Sequence, residues 1–182
     1  MSSFECTRRK LSKCLSIYIA DTGRCGLGIF AARPFRAREV VMVDEDGDYY
    51  RNVVSYQELR RRGYDLDITL QVGPDAFKLP NGSLDDFTNH SCDPNTGIRL
   101  TDRGTIVVAL RDIAAHEELT YDYSTYLNNP YESLRCLCGA ANCRGVVGNF
   151  STLPAELRHR YQALGIVGDF VEGPVLIVDV AD

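Results

Sequence analysis

The chain has 182 residues, 45% of them apolar and 25% charged, with a formal net charge of −5. That length holds one domain, or one domain with an appendage, and it buries a core without disulfide staples. No apolar run approaches the thickness of a bilayer, so no membrane partner is expected, and the acidic balance argues against direct nucleic-acid binding.

Residues 1–13 read as a polar, basic lead-in. Met1-Ser2-Ser3-Phe4-Glu5-Cys6 has no basic region followed by an apolar core. The expectation is therefore an intracellular protein, cytoplasmic or nuclear and not secreted, whose cysteines are metal ligands or thiols rather than disulfides. Residues 16–20 predict a strand, 21–28 a glycine-rich bend, and 29–32 and 39–43 further strands. The glycines form no dinucleotide fingerprint, since G-x-G-x-x-G is absent and no helix opens after them. Residues 44–88 read as an insert. Within it Ser55 and Glu58 have capping-box spacing for a helix ending near Gly63. Residues 67–72 alternate as a strand, and Asn81-Gly82 is a hairpin-turn signal. Beyond a polar loop at 89–95, residues 98–100 and 105–110 form a hairpin through 102–104. Residues 118–123 alternate and place Tyr121 and Tyr123 on one face of a strand. Residues 152–164 predict a helix with Thr152 as cap, Pro154 in its first turn and Gly165 at its stop. Residues 175–178 add an edge strand or a docking segment. Many short strands with few helices give a mainly β fold.

Two stretches carry chemistry. Asn89-His90-Ser91-Cys92-Asp93-Pro94-Asn95 puts amide, imidazole and thiol groups on a loop that Pro94 keeps from becoming helix. Taken alone it is equally an Asx-rich turn with a buried cysteine. Cys136, Cys138 and Cys143 have C-x-C-x4-C spacing. Three thiolates leave a tetrahedral zinc site one ligand short, and Cys92, in a rigid polar loop, is the obvious fourth. The competing reading is three free thiols.

Taken together, four stretches in order resemble the SET-domain protein lysine methyltransferases. They are Gly26-Leu27-Gly28 with its following strand, the Asn89–Asn95 loop, Glu118-Leu119-Thr120-Tyr121-Asp122-Tyr123, and a post-SET cluster of Cys136, Cys138 and Cys143. The resemblance covers residues 14–148. It implies a SET domain at 14–124 with the insert at 44–88 and a zinc-bound post-SET segment at 125–148; residues 149–182 lie outside it and are read, from their helix signals, as a C-terminal helical extension. The fold it implies has small curved β-sheets with a pseudoknot. It also implies S-adenosyl-L-methionine, bound by Gly26, Leu27, Gly28, Asn89, His90 and Leu137, and one zinc ion on Cys92, Cys136, Cys138 and Cys143. The partner would be a lysine of a histone tail or other basic protein, entering a channel opposite the cofactor. Tyr123 matches the family's catalytic tyrosine. Tyr121 falls where relatives carry Phe or Tyr, and a hydroxyl there implies monomethyl-lysine as the main product. A SET-like module without catalysis, binding peptides or acting as a scaffold, is the alternative. Asp86 departs from the family, which often has arginine at that position; with Asp44, Glu45, Asp46, Asp48 and Asp85 it makes the insert acidic.

Overall fold

The computed structural model describes residues 16–45, 47–130 and 133–173. β1 (Ile17–Asp21) folds back through the glycine-rich bend onto β2 (Leu27–Ala31) as an antiparallel pair. β3 (Val40–Glu45), β8 (Thr96–Leu100) and β9 (Gly104–Ala109) form a second sheet in the order β3-β9-β8. The insert builds a third, from β4 (Val53–Val54), β5 (Leu70–Gly73) and β6 (Ala76–Lys78) in the order β4-β6-β5, beside the short helix α1 (Tyr56–Arg61). β7 (Asn89–His90) pairs in parallel with β10 (Thr120–Tyr121), and β11 (Leu134–Arg135) pairs with β12 (Val146–Val147) around the cysteines. The mainly β character follows from the sequence: short β-branched runs such as Thr105-Ile106-Val107-Val108 form strands, and β9 buries both faces, Val107 in the main core and Val108 in the second cluster.

The main core gathers Ile17, Ile29, Phe35, Ile98, Val107 and Leu119. A second cluster, with Phe150, Leu153, Tyr161 and Ile166, packs the C-terminal extension and its helix α2 (Ala155–Ala163) onto Val108. The approach is close: a Cβ on Gly97 of β8 would lie 2.6 Å from Ile166 Cγ2.

Several local expectations change. Ser55 caps α1 as expected, accepting the Glu58 N–H at 3.3 Å, and Gly63 follows its end at φ 75°. The Glu58 carboxylate does not complete the box; it bonds Arg61 and Arg62, which hold it down to about 2. Residues 66–68 form a 3-10 turn rather than strand, because Leu66 is buried while Ile68 is exposed. The hairpin turn of the insert is Pro74-Asp75, between β5 and β6. Asn81-Gly82 makes no hairpin, because both its N–H groups donate to the Asp86 carboxylate, at 2.9 and 2.7 Å. Of the expected 118–123 strand, Thr120–Tyr121 pairs with β7 and Glu118 makes an isolated antiparallel bridge with Phe30 of β2. Asp122 ends it by accepting the Ser124 N–H and capping the 3-10 turn Tyr123–Tyr126. α2 begins with Pro154 as N-cap, while the Thr152 hydroxyl donates to the Asn149 carbonyl. The 1–13 lead-in and the 175–178 segment lie outside the described residues.

The acidic insert is largely paired internally. Lys78, 1% exposed, sits in its centre. Its Nζ donates to Ser83 Oγ and Asp86 Oδ1, both at 2.7 Å, and lies 3.5 Å from Asp85 and 4.9 Å above the Tyr49 ring. Tyr49 in turn donates to Asp85, and Asp44 accepts the Leu84 N–H. Asp86 in place of arginine is thus one half of a buried ion pair. Removing one partner of such a pair strands the other charge. Lys78→Met is expected to destabilise the fold by about 3–5 kcal/mol. A urea melt with an unchanged midpoint would refute this role.

Candidate active site

The site forms where two distant segments meet. In the β7–β10 pair Asn89 faces Thr120 and His90 faces Tyr121. Asn95 fixes the register from the loop: it accepts the Thr120 N–H at 2.9 Å and donates to the Glu118 carbonyl at 2.7 Å. The Asn89 amide donates to the Leu27 carbonyl at 3.1 Å and to the Glu118 carboxylate at 2.9 Å. Gly28 permits that approach, since a Cβ there would stand 2.9 Å from both Asn89 Nδ2 and Glu118 Oε1. Gly26 instead serves the bend, at φ 75°, where an L side chain is strained. Arg24 spans the opening: Nη2 donates to Glu118 at 2.6 Å and Nη1 to the Cys138 carbonyl at 2.5 Å. The cysteine segment is thereby tied through Glu118 to Asn89.

A cavity of about 550 Å³ lies between these elements, a volume ordinary for a small-molecule site. Leu27, Asn89, His90 and Leu137 line it, as does Tyr123. Leu137, between two cysteines, is 57% exposed, an apolar side chain held out toward whatever fills the cavity. Gly26 and Gly28 shape the bend carrying Leu27 and are not among its lining residues. A second, narrow cavity of about 30 Å³ is lined by Tyr121, Tyr123, Thr88, the 67–70 stretch, Asp85 and Asp86. Tyr123 borders both. Its hydroxyl donates to the Thr88 carbonyl at 3.1 Å, and its ring centre is 4.7 Å from that of Tyr121 and 5.3 Å from that of His90. Burial, reinforced by the charge of Asp67, pushes the Tyr123 hydroxyl well above its usual range, so it is a proton-bearing donor at neutral pH. Burial raises Tyr121 likewise.

The cysteine segment folds back on the Asn-His loop. One donor atom each from His90, Cys92, Cys136 and Cys138 lies within 4.8 Å of the others, a group that could hold a metal ion. Cys92 and Cys136 have their sulfurs 3.7 Å apart. Two sulfurs about 2.3 Å from one tetrahedral zinc stand about 3.8 Å apart, so the spacing fits zinc. The imidazole has a different part. His90 Nδ1 accepts the Tyr123 N–H at 3.2 Å, which puts the ring proton on Nε2, facing Cys92 Sγ at 3.3 Å. Burial lowers its pKa to about 4, so the ring is neutral and donates to the thiol. Cys143 is outside the close group but acts on the thiols of Cys136 and Cys138. Backbone N–H groups reach all four sulfurs: Arg144 to Cys92 and Gly145 to Cys143 at 3.4 Å, Cys138 to Cys136 and Cys92 to Cys138 at 3.5 Å. Burial raises Cys138, but these backbone and thiol bonds outweigh it and bring the group to about 6.

Sequence reasoning passed over one buried hub. Asp122, 2% exposed, accepts from Arg144 Nη2 at 2.7 Å and from the Tyr161 hydroxyl at 3.2 Å, and lies 3.7 Å from His90 Nδ1. One carboxylate thus joins the cysteine segment to α2 beside the Asn-His loop. Arg24 was also missed, although its position inside the glycine-rich bend was a signal.

The SET domain family model matches residues 26–124. The chain is 34% identical to histone-lysine N-methyltransferase ATX2 of Arabidopsis thaliana, over 70% of this chain and 12% of the relative. It is 35% identical to the histone-lysine N-methyltransferase, H3 lysine-4 specific, of Saccharomyces cerevisiae, over 65% of this chain and 12% of the relative. The same identity holds for the namesake protein of Eremothecium gossypii, over 65% and 13%. The chain spans only 2% to 13% of the length of the curated relatives it matches. Among the described residues no helix is long and apolar enough to cross a membrane.

Proposed function

This chain belongs to the SET domain family, and from that premise we propose that it is an S-adenosylmethionine-dependent protein-lysine N-methyltransferase, leaving mainly monomethyl-lysine on a histone tail or other basic protein. The observation that carries the reading is the position of Tyr123 on both the wide and the narrow cavity. A donor molecule in the first and a lysine in the second would meet at its hydroxyl.

S-adenosylmethionine, when bound, supplies a methyl group on a sulfonium. The wide cavity suits it, with Asn89 and His90 as polar partners and Leu27 and Leu137 as apolar walls. The narrow cavity, about 30 Å³, has room for the amine end of a lysine and little more. Free lysine has a pKa near 10.4, so a neutral amine at pH 7 costs on the order of 4 kcal/mol. The aromatic walls of Tyr121 and Tyr123 lower that cost by desolvating the ammonium, while the acidic residues Asp67, Asp85 and Asp86 on the same cavity work against it, and we assign no dedicated base. Alignment of the amine by Tyr123 and the walls supplies acceleration. We assign one zinc to Cys92, Cys136, Cys138 and Cys143. The backbone N–H on each sulfur supports the set, and the tautomer of His90 argues for a hydrogen-bond donor beside it. Zinc there would hold the 134–147 segment, and Leu137 with it, against the cavity. The proposal includes an intracellular location, cytoplasmic or nuclear, where thiols stay reduced.

The relatives named H3 lysine-4 specific make the histone H3 tail the first substrate to try. Incubation of the zinc-loaded protein with radiolabelled S-adenosylmethionine and core histones should label a histone. Binding of histone peptide with no label in any histone would favour a peptide-binding module instead. The monomethyl preference rests on Tyr121, whose ring borders the narrow cavity next to Tyr123. A hydroxyl or its water occupies space that a methylated amine needs. Tyr121→Phe is expected to keep activity and shift the product to dimethyl- or trimethyl-lysine. Mass spectrometry giving trimethyl-lysine as the main wild-type product would contradict this role.

A further inference from the structure

Arg24 is mounted on the tightest part of the glycine-rich bend. Thr22 Oγ1 accepts the N–H groups of Arg24 and Cys25 at 3.2 and 2.9 Å, and Asp21 Oδ1 accepts that of Gly23 at 2.7 Å. The Thr22 N–H closes the bend on the Gly26 carbonyl at 2.8 Å. These side-chain and backbone bonds fix the turn from which the arginine projects. Its guanidinium divides between two distant segments: Nη1 donates to the Cys138 carbonyl at 2.5 Å and Nη2 to Glu118 Oε2 at 2.6 Å. Gly139 turns beside it at φ 72°, where a Cβ would stand 3.6 Å from Nη1.

The Glu118 arm extends into the cavity. Glu118 Oε1 accepts one N–H of the Asn89 amide, and the Leu27 carbonyl accepts the other. With both amide hydrogens spent on the frame, Asn89 Oδ1 is left as the acceptor for a ligand. Arg24, Asn89, Leu137 and Cys138 all line the wide cavity. We propose that Arg24 is a positioning residue for the cofactor: one guanidinium holds the Cys138 carbonyl and the Glu118 carboxylate, keeps Leu137 on the cavity and the Asn89 amide turned for binding, and so sets how tightly and how long S-adenosylmethionine is held. The assignment rests on the S-adenosylmethionine reading and adds a residue that reading does not contain. Arginine suits the position because its planar fork meets two acceptors with two nitrogens, whereas lysine offers one nitrogen on a flexible stem. The effect is moderated by solvent, since the Arg24 side chain is 46% exposed, although that of Glu118 is only 13% exposed.

Arg24→Met keeps an unbranched stem and removes the fork, and Arg24→Lys keeps the charge. Calorimetry and stopped-flow release of S-adenosylmethionine from the zinc-loaded protein should show R24M binding roughly 5- to 20-fold more weakly, the range of two charge-assisted hydrogen bonds discounted for solvent. The loss should lie mainly in faster release, and R24K should fall between R24M and wild type. With core histones, R24M should raise KM for S-adenosylmethionine while kcat at saturating donor stays near wild type, and the variant should keep its zinc. Wild-type affinity and release in R24M would overturn the assignment. So would loss of zinc from R24M, which would make Arg24 a part of the metal segment's fold, or a fall in kcat with cofactor affinity unchanged. Absence of S-adenosylmethionine binding by the wild-type protein would remove the cofactor reading and this inference with it. Wild-type binding with an unaffected R24M removes only the role of Arg24.

Discussion

Tyr123→Phe is expected to slow methyl transfer roughly 100-fold or more, the scale on which small misplacements of reacting groups act, while cofactor affinity stays near wild type. The ring is fixed by its neighbours, with centres 4.7 Å from Tyr121 and 5.3 Å from His90, and phenylalanine fills the same space. What goes is the hydroxyl at the junction of the two cavities, anchored 3.1 Å from the Thr88 carbonyl. That hydroxyl keeps its proton, because burial pushes its titration far above neutrality, so it acts as an oriented dipole and not as a base. Its oxygen can also receive weak C–H···O contacts from a polarised methyl group. Single-turnover rates with calorimetry of S-adenosylmethionine binding separate these effects. A rate within a few-fold of wild type would show that the hydroxyl is not at the reacting atoms.

Cys92→Ser is expected to lose the zinc and, with it, cofactor binding. Structural zinc contributes apparent binding free energies of about 10–16 kcal/mol at neutral pH, and that energy is folding energy for the segment it ties down. Here the segment is the wall of the wide cavity: Leu134, Cys136, Leu137, Cys138 and Val147 all line it. Cys92, 3% exposed, is the only cysteine of the four from the Asn-His loop, so its loss unties that wall from the loop. Arg24 to Cys138 and Arg144 to Asp122 would still bridge the parts, but both arginines are partly exposed and salt-sensitive. Metal analysis of the purified variant, paired with calorimetry, measures both losses. One zinc per chain in Cys92→Ser, or unchanged cofactor affinity without zinc, would overturn the arrangement.

The parts of the site legible in the sequence are those whose chemistry is local. Asn89, His90 and Cys92 stand within four residues, and Cys136 and Cys138 flank Leu137; the structure gathers both stretches on one cavity. The strands were legible where β-branched and apolar residues cluster between turn residues, as in β8 and β9 with their turn at 101–103. What was illegible depends on partners far away in the chain. Lys78 and Asp86 look like ordinary surface charges until the insert closes over them, and Asp122 looks like a strand residue until Arg144 and Tyr161 converge on it. Asn81-Gly82 shows the same effect on turn chemistry: its local preference for a hairpin loses to a carboxylate five residues on. The same-face argument for Tyr121 and Tyr123 also fails in its premise, since Tyr123 begins a 3-10 turn. Their rings are neighbours because that turn brings the second ring back beside the first.

The central claim is transfer of a methyl group to a lysine through the junction at Tyr123. Tandem mass spectrometry of a histone H3 N-terminal peptide and of core histones, after incubation with the zinc-loaded protein and S-adenosylmethionine, tests it most directly. The account predicts monomethyl-lysine accumulating on one site, dependent on Tyr123. Every lysine remaining unmodified in both substrates, with cofactor binding confirmed in the same sample, would contradict it.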